Sequence, residues 1–308
     1  MIRTSTPRVV KMITSKYSNI SSTIVQKDLS ENHGIDVSIS YIQNITDTVN
    51  NLIKREEIFY ELPKLKDEVS IVSIGIDGTC SYVGEHGWRE VMVGTISLYN
   101  SIGARMHTIY VAESPEYGKH NFKIKMQREI EEIKKRVSKS VKYVGLADGA
   151  VDNWSFLDKF VNYQVIDFYH VSEYLSKASK AIYTEVKEQE EWLEYALNLL
   201  KKSVYASLVL LKEMEKVYEE NRVLKLDLKS SITYFTNHYH QMEYSEALEL
   251  NLPIGSGITE SACKVLVKQR MCISGAKWSN RGASAILNLK AINSTNGRWN
   301  QFWKKITA

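Results

Sequence analysis

Two aspartates stand at matched places in this sequence, and glycine follows each of them. Asp77 comes directly after the β-branched run at 69–76, and Asp148 comes after the apolar stretch "VKYVGLA". An Asp-Gly pair is common turn chemistry, so either pair alone is more typical of a turn than of a site. Open α/β sheets, however, bind ligands at the carboxyl ends of their strands. Two such pairs therefore predict carboxylates that hold a divalent cation such as Mg²⁺ at one edge of a sheet.

A third acid, Glu260, follows the sequence "GSG" at 255–257. We expect it in the first turn of a helix that opens after these residues, where the helix dipole alone would favour an acid. The dipole does not explain why a flexible segment precedes the acid. Because two aspartates rarely complete a two-metal site, Glu260 is the predicted third ligand.

The elements that must position these acids follow from hydrophobic periodicity. The pattern predicts strands over 69–79, 88–100 and 106–114, a helix over 119–138, a strand ending at Asp148, a short helix over 153–161 and a strand over 163–171. Three meandering strands, a helix, a strand, a helix and a strand form the order of an RNase H-like sheet. From there to about residue 250 the pattern is wholly helical. One apolar stripe in that segment is typical of helical core: Leu193, Leu197, Leu200, Val204, Leu208 and Leu211.

The amino-terminal segment predicts two helices within 20–57, separated by a break at 32–34. Ser38 or Ser40 is available to cap the second helix. This pattern is compatible with a helix-turn-helix whose second helix begins near Ser40, and equally with a plain helical hairpin. The predicted organisation is a helix-turn-helix-like region at 1–60, a catalytic α/β domain at 65–175, an all-helical insertion at 176–250 and a final catalytic part with a basic tail at 251–308. Residues 60–68 are predicted to be a linker.

Composition is that of an ordinary globular chain of 308 residues, of which 44% are apolar and 25% charged. No apolar run is long enough to predict a membrane span, and the amino terminus lacks the apolar segment of a secretory signal. The three cysteines are odd in number and follow no metal-ligand spacing. A reducing cytoplasm is the expected location.

The net charge of +4 conceals an asymmetry. No Asp or Glu follows Glu260, whereas the tail at 261–308 carries nine Lys and Arg, so residues 1–260 sum to 4 minus 9, or −5. A solvated face is one interpretation. Three tryptophans are interleaved with these charges, however, and basic groups with aromatics suit nucleic acid. The tryptophans are Trp278, Trp299 and Trp303. The predicted DNA-binding residues are Lys264, Lys268, Arg270, Lys277 and Arg281.

Several motifs together carry a family resemblance: "IDGT", "GWREVMVGTI", "LADGA", "QVIDFYHVSEYL" and "LPIGSGITESACKVLVKQRM". In their order and spacing the chain resembles transposases of the ISKra-type bacterial insertion-sequence family, most closely from about 74 to 303. The resemblance implies a DDE transposase, in which an all-helical insertion interrupts an RNase H-like catalytic domain before the final Glu. Asp77, Asp148 and Glu260 match the three acids, and Asp167 and His170 match a "DFYH" motif of several such enzymes.

The resemblance also implies the chemistry. Two Mg²⁺ ions, or Mn²⁺ in their place, would support phosphodiester hydrolysis and strand transfer at insertion-sequence ends. The partners would be double-stranded DNA, as transposon ends and target, and further copies of the chain on that DNA. The location would be the bacterial cytoplasm, in association with the nucleoid. We expect Asp167 to orient His170, which would contact DNA or support the metal site, and we expect Trp88 to pack.

Two other functions remain open. Family members are often longer at the amino end, which makes a truncated, catalytically silent DNA-binding remnant or regulator the main alternative. An RNase H-fold nuclease without strand transfer is the other. Intact acids favour the active transposase over the remnant, whereas the abbreviated amino end favours the remnant.

Overall fold

A computed structural model of the chain describes residues 5–55, 60–84, 87–115, 119–220 and 226–307. The protein is a mixed α/β structure built on one five-stranded sheet with strand order β3-β2-β1-β4-β5. β2 runs antiparallel to β1 and β3, whereas β4 runs parallel to both β1 and β5. The strands are β1 (Ile71–Val83), β2 (Gly87–Tyr99), β3 (Arg105–Glu113), β4 (Lys142–Ala147) and β5 (Tyr163–Ile166).

Helices precede, interrupt and follow the sheet. Three come first, namely α1 (Pro7–Asn19), α2 (Ser22–His33) and α3 (Ile39–Arg55). Two alternate with strands, namely α4 (His120–Lys134) and α5 (Val151–Leu157). Five follow β5, namely α6 (Phe168–Ile182), α7 (Val186–Lys202), α8 (Ala206–Glu220), α9 (Leu226–His238) and α10 (Tyr244–Glu249). The last are α11 (Gly257–Ala262), a π-helical segment (Cys263–Lys268), α12 (Gln269–Met271), α13 (Asn280–Ser294) and α14 (Arg298–Thr307).

The sheet separates two hydrophobic cores. Met92 faces the core shared with α4 to α10, whereas its neighbours Val91 and Val93 face the core shared with α1 to α3 and the tail helices. This alternation is the period of two expected of a strand buried on both faces. The amino-terminal helices are therefore packed against the carboxyl-terminal ones, and Asn288 of α13 donates a hydrogen bond to Asn50 of α3.

The helical predictions for the amino-terminal segment are confirmed for the described residues. α2 ends at His33 and is capped by Gly34, whose φ of 62° is the left-handed conformation that favours glycine. Ser38 caps α3, because its Oγ accepts a hydrogen bond from the Tyr41 amide at 3.1 Å. Residues 56 and 57, the end of the predicted segment, lie outside the described residues.

The prediction that Asp77 ends a strand is wrong. β1 continues to Val83 because its antiparallel partner β2 pairs with it along the whole hairpin. What ends near Asp77 is the pairing with β4, whose last pair is Gly75 with Leu146. The carboxylate therefore lies where β1 leaves the parallel part of the sheet.

The prediction of a strand over 163–171 is also too long. β5 stops at Ile166, and Asp167 caps α6 by accepting hydrogen bonds from the amides of Tyr169 and His170, both at 3.4 Å. His170 consequently lies in the first turn of a helix rather than on a strand.

The predicted apolar stripe of the insertion is not continuous. α7 ends at Lys202, and Val204 is 65% exposed in the turn before α8. Leu200 and Leu211, on either side of this turn, are buried as predicted. Residues 221–225 of the predicted helical segment lie outside the described part of the chain. Among the described helices, none is both long and apolar enough to cross a membrane.

Candidate functional site

Asp77 lies on β1, and Asp148 is the first residue after the parallel neighbour β4. Gly75 pairs with Leu146, and each aspartate comes two residues later along the chain. Because side chains alternate between faces with a period of two, the carboxylate of Asp77 leaves β1 on the same face as Gly75. Both aspartates therefore lie at the edge where the parallel pairing of β1 and β4 ends.

Asp77 is held from two directions. The amide of Gly78 donates to its Oδ1 at 2.7 Å, and the buried thiol of Cys263 donates to its Oδ2 at 3.4 Å. Burial raises the pKa of Asp77 above its usual value, and the negative charges of Asp148 and Glu260 raise it further against these two hydrogen bonds. The three predicted acids therefore lie in one electrostatic neighbourhood.

The turn after β4 fixes Asp148. Its Oδ1 accepts hydrogen bonds from the amide of Ala150 at 3.1 Å and from Asn153 Nδ2 at 3.3 Å. The indole of Trp154 donates to its backbone oxygen at 2.7 Å. These donors all come from α5 or the residue before it, so the start of that helix sets the direction of the carboxylate.

Glu260 is positioned by the contact of α11 with the sheet. Thr259 Oγ1 lies 2.7 Å from Thr95 Oγ1, and any Cβ at Gly75 would collide with Thr259. Glycine on β1 therefore allows α11 to sit directly against the strand that carries Asp77. Ser256 Oγ donates to Glu260 Oε1 at 2.6 Å, while the carboxylate itself stays exposed.

Asp167 and His170 adjoin the same acids. Asp167 is fully buried, and its carboxylate accepts from the amide of Ser256 at 2.9 Å and lies 2.8 Å from His170 Nδ1. The expected contact between Asp167 and His170 is thus present. The hydrogen bond that His170 donates to Asp167 raises the pKa of His170 to about 9, with a further contribution from the charge of Asp148. His170 is therefore a cation at neutral pH.

Ligand atoms of Asp167, His170 and Glu260 all lie within 4.8 Å of one another, so this cluster could hold a metal ion. A His ligand must be deprotonated, so a proton on His170, whose pKa is raised to about 9, would compete with the metal at neutral pH. Asp77, Asp148 and Glu260 offer only carboxylate oxygens, the ligands that Mg²⁺ prefers. Among the described residues, however, Asp77 and Asp148 do not join a group of three ligand atoms this close, and Glu260 is the member common to both sets.

The sequence interpretation did not identify Cys263 and Ser256, which donate hydrogen bonds to Asp77 and Glu260 respectively. Cys263 is three residues after Glu260, a spacing that places two side chains on neighbouring positions of one helix face. Ser256 is four residues before Glu260, at the start of the helix. The spacing of each residue from Glu260 was therefore the available signal, although the partner of Cys263, Asp77, comes from a distant strand.

Only some of the basic residues in the tail lie at the protein surface. Arg270 is buried between the rings of Tyr17 and Trp278, and its Nε donates to the Tyr17 backbone oxygen at 3.2 Å. The prediction that Arg270 contacts phosphates of duplex DNA is wrong, because the tail helices form the second core with α1 to α3. Trp278 and Trp303 are buried in that core, so packing explains their presence among the basic residues of the tail.

The other predicted DNA-binding residues remain at the surface. Lys264, Lys268 and Lys277 are exposed. Arg281 is exposed as well, but its Nε lies 2.9 Å from Asp47 in an ion pair. Lys264 and Lys268 follow Glu260 on the same segment and are the cations of the tail best placed to neutralise DNA beside the acids.

The pH dependence of thermal stability should reveal that burial and neighbouring negative charges raise the pKa of Asp77. Because the pKa of Asp77 is raised on folding, the folded state binds its proton more tightly, and stability is lost as pH rises above the usual Asp range. In metal-free buffer at pH 7 we expect Asp77→Asn to melt above wild type, by roughly 2 °C. The difference should vanish near pH 3, where Asp77 is protonated in both states. Calorimetry in EDTA measures this, and a lower Tm for the variant at pH 7 would contradict it.

No protein-family model matches the chain, and no curated protein sequence is similar to it. The resemblance to insertion-sequence transposases therefore rests on the motifs alone. The chemistry of the site is the remaining basis for assigning a function.

Proposed function

We propose that the protein is a DDE-type DNA transposase with an RNase H-like catalytic domain, in which Asp77, Asp148 and Glu260 are the catalytic acids. The observation that supports this proposal is that the charges of Asp148, just after β4, and Glu260, on α11, both act on the carboxylate of Asp77 on β1. The strand order supports it, because an antiparallel meander continued by two parallel strands is the arrangement that the RNase H-like interpretation predicts.

The residues fit a divalent cation. The pKa of Asp77 is raised by its burial and by two neighbouring acids, and a bound cation would relieve this repulsion. Asp77, Asp148 and Glu260 would hold Mg²⁺, or Mn²⁺ in its place, through oxygen atoms. Two such ions, when bound, supply an activated water and charge neutralisation for an in-line displacement at phosphorus.

The protein's own residues complete the site. Gly78 and Cys263 hold the Asp77 carboxylate, and α5 holds that of Asp148. Asp167 orients the His170 imidazolium, whose Nε2 would donate to a phosphate oxygen. A fixed cation beside the acids would bind the phosphodiester in the position where it reacts.

Double-stranded DNA, as element ends and as target, is the proposed substrate, bound by more than one copy of the chain. α3 offers an exposed stripe without a carboxylate: Ser40, Asn44, Thr48, Asn51 and Arg55. Side chains of these types donate and accept hydrogen bonds with base edges and phosphates. As the second helix of the helix-turn-helix-like region, α3 is the proposed element for end recognition.

Lys264 and Lys268 should contribute to binding through phosphate charge alone. Replacing both with Ala should weaken binding to unrelated duplexes equally and flatten the dependence of log affinity on log salt by about two units. Lys212 and Lys216 on α8, exposed at the same spacing, provide the control pair. Fluorescence anisotropy over a salt series measures both. An unchanged slope for the first pair, or an equal change in the control, would show that these lysines face solvent only.

The proposed function is tested by a strand-transfer assay. The donor is DNA that carries the native sequences flanking the gene, and the target is a supercoiled plasmid. Joined products that require Mg²⁺ are expected. Cleavage without joining would identify an RNase H-fold nuclease instead, and binding without cleavage in Mg²⁺ or Mn²⁺ would identify a catalytically silent DNA-binding protein.

A further inference from the structure

A cavity of about 350 Å³ lies between α2, α3, α13 and the loop that follows α12. Its wall combines the starts of two helices with one buried cation. The side chains that offer it a hydroxyl or a positive charge are Ser21, Ser22, Arg270, Ser274, Lys277 and Ser279. Cavities of this size hold small molecules, and a few well-placed polar groups set what they bind.

Arg270 gives this cavity a buried positive charge without a negative partner. The residue is only 3% exposed, and its guanidinium lies over the rings of Tyr17 and Trp278. Its polar contacts in the described part of the chain are the backbone oxygen of Tyr17, at 3.2 Å from Nε, and the Tyr17 hydroxyl. Arginine is almost never fully buried unless it is paired, so this guanidinium is prepared for an anion that enters the cavity.

A second buried cation adjoins Arg270. Lys290 of α13 is 5% exposed, and its Nζ donates to Asn19 Oδ1 at 3.2 Å. Burial lowers the pKa of Lys290, and the charge of Arg270 lowers it further. Asp47 is the acid that lines the cavity, but it already pairs with Arg281 Nε at 2.9 Å. Positive charge is therefore in excess around the cavity.

Two helices begin at the cavity wall. Ser21 caps α2 and Ser279 caps α13, and each serine oxygen accepts from one amide, that of Ile24 at 3.3 Å and that of Gly282 at 3.1 Å. The helices have 12 and 15 residues. The other amides of each first turn have no partner within the helix, and the dipole makes this end positive. Such helix starts are anion-binding sites, most often for phosphate.

The cavity is separate from the three acids. Trp278, which lines it, forms a parallel bridge with Val83, and Val83 is six residues beyond Asp77 on β1, roughly 20 Å at the usual rise per residue. Trp88 on the same hairpin was expected to pack and is instead 64% exposed, but it does not line the cavity. A ligand in the cavity would therefore bind apart from the proposed catalytic site.

We propose that this cavity binds a phosphate group, held by Arg270 and by the starts of α2 and α13. A guanidinium matches two phosphate oxygens with parallel hydrogen bonds, and helix amides take the others. Because Arg270 lies deep, the backbone of a duplex does not reach it. Two sources of the group fit, a free phosphate compound and the terminal phosphate of a DNA strand. The inference goes beyond the proposed function, since none of the three acids takes part.

Isothermal titration calorimetry with inorganic phosphate in EDTA tests the site, with sodium chloride at equal ionic strength as the reference. Saturable binding of one phosphate per chain is expected. Ser22→Asp should weaken it about tenfold or more, because a carboxylate then faces the anion across the cavity. The variant should fold, since the helix dipole favours an acid in the first turn of α2.

Val186→Asp is the matched control. It also adds a carboxylate at the first residue of a helix, α7, which packs in the other core, and Val186 is 65% exposed. It should bind phosphate as wild type does. Arg270→Gln should lose affinity about tenfold or more, because a hydrogen bond from a charged group is lost. Ser22→Asp decides the test if this second variant does not fold.

A 5′-phosphorylated oligonucleotide and its 5′-hydroxyl twin separate the two sources. Tighter binding of the phosphorylated strand that Ser22→Asp removes would support the site with a DNA end as its ligand. Equal affinities for the twins, with inorganic phosphate still bound, would support it with a free phosphate compound. No saturable binding of phosphate, or equal losses in Ser22→Asp and Val186→Asp, would overturn the proposal.

Discussion

Asp148→Asn is expected to abolish Mg²⁺-dependent DNA cleavage, by on the order of 10³-fold or more, as loss of a catalytic carboxylate does in other enzymes. An amide oxygen can still accept the hydrogen bonds of Ala150 and Asn153, so the turn after β4 should keep its shape. What the substitution removes is the negative charge beside Asp77. DNA binding should stay largely intact, because the contacts to phosphates come from other residues.

Plasmid nicking in Mg²⁺ measures the loss, and anisotropy with a labelled duplex in EDTA measures the retained binding. Asp152→Asn is the matched control, since Asp152 lies four residues away on α5 and its carboxylate pairs with Lys123 at 2.6 Å. The control should cleave as wild type does. A wild-type rate in Asp148→Asn would rule out its catalytic role.

Arg298→Ala is expected to lower the free energy of unfolding by about 3–5 kcal/mol, the usual effect of breaking a buried ion pair. The guanidinium of Arg298 donates to both carboxylate oxygens of Glu129, and the two side chains are only 9% and 13% exposed. The guanidinium also lies over the ring of Tyr60, 4.7 Å from its centroid. Removing it leaves the Glu129 charge buried without its partner and leaves a cavity beside Tyr60.

Denaturant titration measures this change, with Arg281→Ala as the comparison. Arg281 also pairs with an acid, Asp47, but its side chain is 69% exposed. Solvent screens such a pair, so its loss should cost less than about 1 kcal/mol. Similar losses in the two variants would contradict the structural role assigned to Arg298.

The placement of the two aspartates was predictable from sequence because β1 and β4 pair in parallel with a constant offset in residue number. Asp77 and Asp148 are 71 residues apart, and the pairing of Ile71 with Lys142 has the same offset. Apolar runs located both strands, and the acid at the same place after each run then marked one edge of the parallel pairing. Gly34 and Ser38 also located the turn before α3. They could be found from sequence because helix caps depend on local backbone geometry.

The burial of basic residues in the tail was not predictable, because composition records charge and not burial. Arg270, Lys290 and Arg298 are all buried, although each counts as a positive charge in the sequence. Their environment is created by α1, α4 and the sheet, which are distant along the chain. The contact of Cys263 with Asp77 was not predictable for the same reason, because the two residues are distant along the chain.

Two local sequence signals also failed to give the observed structure. The start of α1 was overlooked, and a turn signal at Asp77 was outweighed by strand pairing. α1 was not predicted, although Thr6 and Pro7 form a helix start, with the Thr6 side chain accepting from the Val9 amide. Asp77 and Gly78 look like a turn by sequence but lie inside β1, because cross-strand pairing with β2 outweighs the local preference.

The central claim is that Asp77, Asp148 and Glu260 together hold divalent metal. An anomalous difference map from crystals grown with Mn²⁺ tests it most directly, because the map locates the ion whatever the activity. The account predicts a peak within coordination distance of carboxylate oxygens of Asp77 and Asp148, with Glu260 as a further ligand, and no such peak in crystals of Asp148→Asn. A peak bound only by Asp167 and His170, or no peak among these acids, would contradict it.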